Sequence, residues 1–167
     1  NQRSGVSVRA TIANYEALLA NALRRAIRVG ETEVVPRISD LPFTMPSLQG
    51  KVEFEAMEEG REEQIMEKLF EESIRTVFKE YASPAELELV ALQFGDGLTV
   101  TTGESIPSAQ YEDIVHKIEG LDEVVRKIAR SDTPARRASA TEFILEGLHL
   151  NQLLNKDRVG GRTTYRG

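Results

Sequence analysis

Two histidines, a run of glutamates and one arginine at the start of a helix are the residues of this chain whose types and spacing could do chemistry. The segment Ser4-Gly5-Val6-Ser7-Val8-Arg9 opens the first predicted helix, with Ser7 placed to cap it and Arg9 in its first turn. A cation there opposes the positive end of the helix dipole. An anion brought to the same place reverses the balance, because free N–H groups, the dipole and a bidentate guanidinium then act together. Gly5 lets the backbone enter the turn without steric cost. From spacing alone, an ordinary exposed arginine on a frayed terminus is the simpler account.

His116 and His149 fall on different predicted helices, and the chain has no cysteine. Glu112, four residues before His116, reads as an i,i+4 surface pair. Glu58, Glu59, Glu62 and Glu63 could in principle gather Mg²⁺, but a glutamate run at a helix start is better explained by solvation and the helix dipole. No G-x-x-x-x-G-K-[ST] loop, no G-x-G-x-x-G after a strand, no H-E-x-x-H and no G-x-S-x-G occurs. No phosphate cradle is therefore recognisable in these residues, and no metal or cofactor is expected in this stretch taken alone.

The elements that would position these groups are mostly helical. Val8, Ile12, Tyr15, Leu19, Ala22, Leu23 and Ala26 recur at three- and four-residue steps, which predicts a helix from Ser7 to Arg28 with Gly30 as its stop. Its other face carries Asn14, Asn21, Arg24, Arg25 and Arg28. Val35-Pro36 starts a short helical turn over Arg37 to Leu41. Pro42, Pro46 and Gly50 then mark a linker, the best boundary in the chain. Lys51 to Glu55 alternates enough for a short extended piece, and Arg61 to Tyr81 has the apolar period of a strong helix. Ser83-Pro84 opens another, running to about Phe94. Leu98 to Thr102 is rich in β-branched residues. Ser108 to Ile118, Leu121 to Arg130 and Pro134 to Asn155 complete the helices. The expected fold is a mainly α helical bundle with at most a short β element.

The chain has 167 residues and a net charge of −6, with 40% hydrophobic and 29% charged side chains. That composition excludes wholesale disorder, and no apolar run approaches the roughly 20 residues of a spanning helix. Absent cysteine and an absent signal pattern fit a cytoplasmic location without a membrane partner. The acidity is local: Glu53 to Glu72 holds nine acids against Arg61 and Lys68. The tail carries Lys156, Arg158, Arg162 and Arg166 against Asp157, and a short basic Gly-containing end is expected to be solvated and mobile. With no basic stripe interleaved with aromatics, nucleic acid is not an expected partner. The acidic face, the tail and Arg136 and Arg137 are candidate docking surfaces, each more simply read as solvated.

Several strings together carry a resemblance. Gly5-x-Ser7-x-Arg9 before a long Ala/Leu/Arg helix, followed by Val35-Pro36, looks like the sensor 2 element of the helical lid in AAA+ ATPases of the MoxR and magnesium-chelatase branch. Asn1 to Arg9, Ala20-Asn21-Ala22-x-Arg24-Arg25-Ala26, Val35 to Leu41, Gly50-Lys51-Val52-Glu53 and Glu146-Gly147-Leu148-His149-Leu150-x-x-x-Leu154-Asn155-Lys156 resemble bacterial magnesium-chelatase subunit I-like ATPases. The resemblance spans nearly the whole chain. It implies that residues 1–50 are an AAA+ lid-like helical segment with sensor 2 and that residues 51–167 are a C-terminal helical domain. Arg9 would be the nucleotide-binding sensor arginine, with Arg3 as a second candidate; many relatives place proline before that arginine, where this chain has Val8. The phosphate loop, the Mg²⁺-binding acids and the arginine finger would lie upstream, in keeping with a first residue that is not Met. The full-length parent would be an ATP hydrolase that uses ATP and Mg²⁺ and forms a homo-oligomeric ring through its core. Its partner would be a protein with a von Willebrand factor A-type domain. The competing expectation is a free-standing helical interaction or regulatory module without nucleotide chemistry.

Overall fold

Helix α1, Val8–Val29, runs 22 residues with no acid in its first turn and Arg28 in its last. The computed structural model describes residues 5–6, 8–48, 52–53 and 61–167. Ahead of α1, the two-residue strand β1 (Gly5–Val6) pairs antiparallel with β2 (Val52–Glu53), which accounts for the extended piece expected after Gly50. Arg3, Ser7, Lys51, Phe54, Glu55 and the glutamates at 58 and 59 lie outside the described residues.

The expected linker is helical. A 3-10 turn over Ile38–Thr44 runs directly into α2, Met45–Leu48. Proline does not obstruct it, since its fixed φ suits 3-10 geometry and the Pro42 carbonyl still accepts from the N–H of Met45. Helix α3, Glu62–Tyr81, follows. The Ser83-Pro84 start is seen as a 3-10 turn (Pro84–Leu87) leading into α4, Glu88–Gly95. Ser83 Oγ accepts from Glu86 N at 3.3 Å while the Glu86 carboxylate accepts from Ser83 N at 2.8 Å, a reciprocal cap. Strand β3 (Thr99–Gly103), a turn over Ser108–Gln110, α5 (Tyr111–Lys117), α6 (Leu121–Ala129) and α7 (Pro134–Leu150) come next.

Two expectations fail at the end of the chain. Helix α7 stops at Leu150 rather than Asn155, and the tail folds into a hairpin of β4 (Asn155–Val159) and β5 (Arg162–Arg166). The sheet order is β3-β5-β4, all antiparallel, with Thr99 opposite Arg166 and Asn155 opposite Arg166 on its other side. Gly160 and Gly161, both at positive φ, make the turn, and Gly103 approaches it so closely that a Cβ would stand 2.4 Å from the Gly161 carbonyl oxygen. Tyr165 is buried in the core, so the tail is packed rather than loose.

The core centres on α7, which is buried over most of its length and meets α3, α5, α6 and the 38–44 turn. Phe78, Leu87, Phe94, Val115, Leu121, Ile144, Leu145, Leu148 and Tyr165 share one apolar cluster. At Gly147 the ring of Phe78 fills the space a side chain would need, with a Cβ falling 2.1 Å from two ring carbons.

Candidate functional site

The first turn of α1 holds Arg9, exposed and on the outward side of the helix. The large apolar side chains of that helix's periodic stripe are also outward, while Ala22 and Ala26 turn inward. Val8 is 78% and Ile27 71% exposed, and Ile12, Tyr15, Leu19 and Leu23 between them are exposed too. The face turned inward is small and polar: Ala10, Asn21, Ala22, Arg25 and Ala26. The reason lies in the 31–40 segment, which meets Arg25 and Asn21 with carboxylates and so makes the polar face the one that can be buried.

Arg25 is 1% exposed and Asp40 fully buried. The Arg25 guanidinium reaches the Asp40 carboxylate through Nε at 3.2 Å and Nη2 at 3.1 Å, Glu31 Oε2 through Nη1 at 3.1 Å, and the Val35 carbonyl through Nη2 at 2.6 Å. Asp40 also accepts from Asn21 Nδ2 at 2.8 Å and from the N–H of Arg37 at 2.9 Å. Arg37 completes the cluster: its Nη1 donates to the Ile106 carbonyl at 2.8 Å, its Nη2 to Glu31 Oε1 at 2.8 Å and to Ser108 Oγ, and its guanidinium lies 4.8 Å from the Tyr111 ring centre. Two cations and two anions thus cancel in a buried space. Burial alone would raise the Glu31 carboxyl, but hydrogen bonds from Ser108 and the charges of Arg37 and Arg25 hold it below the usual range. Burial pulls the Arg25 guanidinium down, and Asp40 and Glu31 more than reverse that.

A second polar row lies on α7. Glu142, buried, accepts from Ser39 N at 2.8 Å, from Ser39 Oγ and from the Tyr111 hydroxyl. Burial pushes its carboxyl above the ordinary value in spite of those donors. One turn on, Glu146 accepts from Tyr165 Oη at 2.8 Å and from Lys156 Nζ at 2.7 Å. These carboxylates floor a cleft of about 440 Å³ between α3, the 38–46 turn and the hairpin, with Glu63, Glu67 and Glu71 on one wall and Arg158 on another. Its floor groups have their partners within the chain, so what the arrangement does is hold three elements together. Among the described residues no group of three or more His, Asp or Glu side chains is gathered to hold a metal ion, and no helix is long and apolar enough to cross a membrane.

Other sequence candidates are dispersed. Glu112 pairs with Arg137 at 2.7 and 2.9 Å instead of with His116. Arg137 is 4% exposed and also bonds Asp122 at 2.7 Å, which removes it from the docking surface; Arg136 stays exposed beside Glu33. His149 uses Nδ1 against the Leu154 carbonyl at 2.9 Å, closing the bend after α7. That bend, with Gly147 under Phe78 and Lys156 on Glu146, gives the string Glu146 to Lys156 a structural purpose. Sequence reasoning overlooked Glu31, Arg37, Asp40 and Glu142; the one available signal was the three-residue step from Arg37 to Asp40, which fits an acid closing on a turn's first N–H. No family model matches the chain, and no curated protein or solved structure is detectably similar to it.

Proposed function

We propose that the chain is the lid and partner-contacting C-terminal region of a magnesium-chelatase-like AAA+ ATPase, an ATP-driven remodelling or chelatase-type machine of the cytoplasm. The observation that carries this reading is the outward apolar stripe of α1, from Val8 to Ile27, alongside an outward Arg9. A helix that buries arginine and asparagine while exposing six large apolar side chains is built to be covered by another surface. A lid helix lying on an ATPase core would have both features on one side: an apolar face toward the core and an arginine toward the nucleotide.

The first turn of α1 carries no acid, and Arg9 would pair with the terminal phosphate of ATP held by the core. Bound ATP with Mg²⁺ supplies the free energy of hydrolysis. Arg9 supplies a charge-assisted contact that differs between the two nucleotide states and thereby biases the angle of α1. In a ring of such subunits that angle would be the output offered to a partner of the von Willebrand factor A type.

In the full-length protein Arg9→Ala is expected to lower ATP turnover by about 10- to 100-fold, the size of one lost charge-assisted hydrogen bond. Wild-type turnover and assembly in that variant would refute the sensor assignment. Coding sequence immediately upstream that lacks an in-frame phosphate loop would favour the free-standing module instead.

A further inference from the structure

The polar cluster around Arg25 and Arg37 joins α1 to elements sixty to a hundred residues further along the chain. We infer that this cluster is a rigid joint, which makes α1, the 31–48 segment, α5 and α7 one arm, so that a change in the angle of α1 is delivered to the C-terminal elements without loss. The inference rests on the lid reading for its consequence and on this chain alone for the joint.

A hinge needs residues free to absorb a change in φ and ψ. The segment after α1 has none to spare between Val35 and Asp40. The Val35 carbonyl accepts from Arg25, the Pro36 carbonyl from Ser139 Oγ at 2.7 Å, and the N–H of Arg37 goes to Asp40. Ser39 is bonded through both N and Oγ to Glu142 on α7. From the other side, Glu31 accepts the N–H of Ser108 at 2.6 Å, and Arg28 donates to the Glu104 carbonyl at 3.0 Å. Apolar interfaces can slide by shear, because dispersion contacts have no direction. A guanidinium shared among a carboxylate, a carbonyl and a hydroxyl has one register, and leaving it strands buried charges. The two bodies therefore have no intermediate arrangement to move through.

Since the chain contains no cysteine, two introduced thiols can carry spin labels without competition. Ala20→Cys with Glu123→Cys spans the joint; Lys79→Cys with Lys117→Cys lies wholly beyond it, and all four positions are exposed. Pulsed electron–electron resonance on the chain should give one narrow distance distribution for each pair. Arg37→Gln should broaden the first about twofold or more while leaving the second unchanged. Should Arg37→Gln broaden both, Glu31→Gln, which keeps the shape, decides by broadening the first pair alone. The joint is refuted by a broad first-pair distribution in the unsubstituted chain, by widths unmoved in both variants, or by both variants broadening both pairs. No nucleotide enters the experiment, so its failure would leave the Arg9 assignment standing, and failure of the Arg9 assignment would leave the joint.

Discussion

Glu142 sits where a carboxylate is least easily charged, fully enclosed between α7, Ser39 and Tyr111. Burial raises its native pKa above the 4.5 of an ordinary glutamate. Between those two values the native chain holds a proton that the unfolded chain has released, so stability falls as pH rises through that window. Glu142→Gln has no proton to lose there. Thermal melts from pH 4 to 8 should show the wild type losing ground to the variant on the alkaline side; parallel curves would mean that the native carboxyl titrates where the unfolded one does. Arg137 shows what residue type alone conceals. It stands beside Arg136 in sequence with the same charge, yet it is buried and pinned by Glu112 and Asp122 while Arg136 remains outside. Hydrogen bonding to Arg137 holds the Asp122 carboxyl below its usual range.

Among the elements, helices with an apolar period and a clear stop were legible in the sequence, α3 and α6 most of all. The cap at Ser83 was legible because its chemistry is local. The hairpin after α7 was harder to read. Gly160-Gly161 between two short runs is a turn signal, but four basic side chains around it read as a solvated tail, and what overrides them is remote: Glu146 receives Lys156 and Tyr165. Helix α7 was overextended for the same reason, since nothing near Leu150 announces that His149 will bond back from Leu154. Gly147 makes a test at this scale. Gly147→Ala would gain about 1 kcal/mol of helix propensity on a free helix. Here its methyl would meet Phe78, and overpacking of this kind costs about 1–3 kcal/mol or more. Urea unfolding should therefore show net destabilisation, whereas a more stable variant would mean that Phe78 turns aside without cost.

On the scale of the whole molecule, the orientation of α1 was the least legible feature. Its periodicity is real, but periodicity says only that one face is apolar, not that this chain is what covers it. Ile12→Glu with Ile27→Glu places charges on the stripe, and because both sites are mostly outward the chain's own stability should change by no more than about 0.5 kcal/mol for each. Binding to a separately produced ATPase core should drop by roughly 30-fold or more, the scale of a lost hot spot. Titration calorimetry of the two proteins would measure it, and unaltered affinity would locate the contact elsewhere.

The order of strands carries a consequence for synthesis. Strand β3 leaves the ribosome some sixty residues before β5, its neighbour in the sheet, since Gly103 pairs with Arg162 and Thr99 with Arg166. While α5, α6 and α7 emerge, β3 has no strand to bond, and Val100 waits for Tyr165. The helices can collect around α7 as they appear, but the sheet closes only when β5 is delivered, which leaves an unpaired edge open to wrong partners until then.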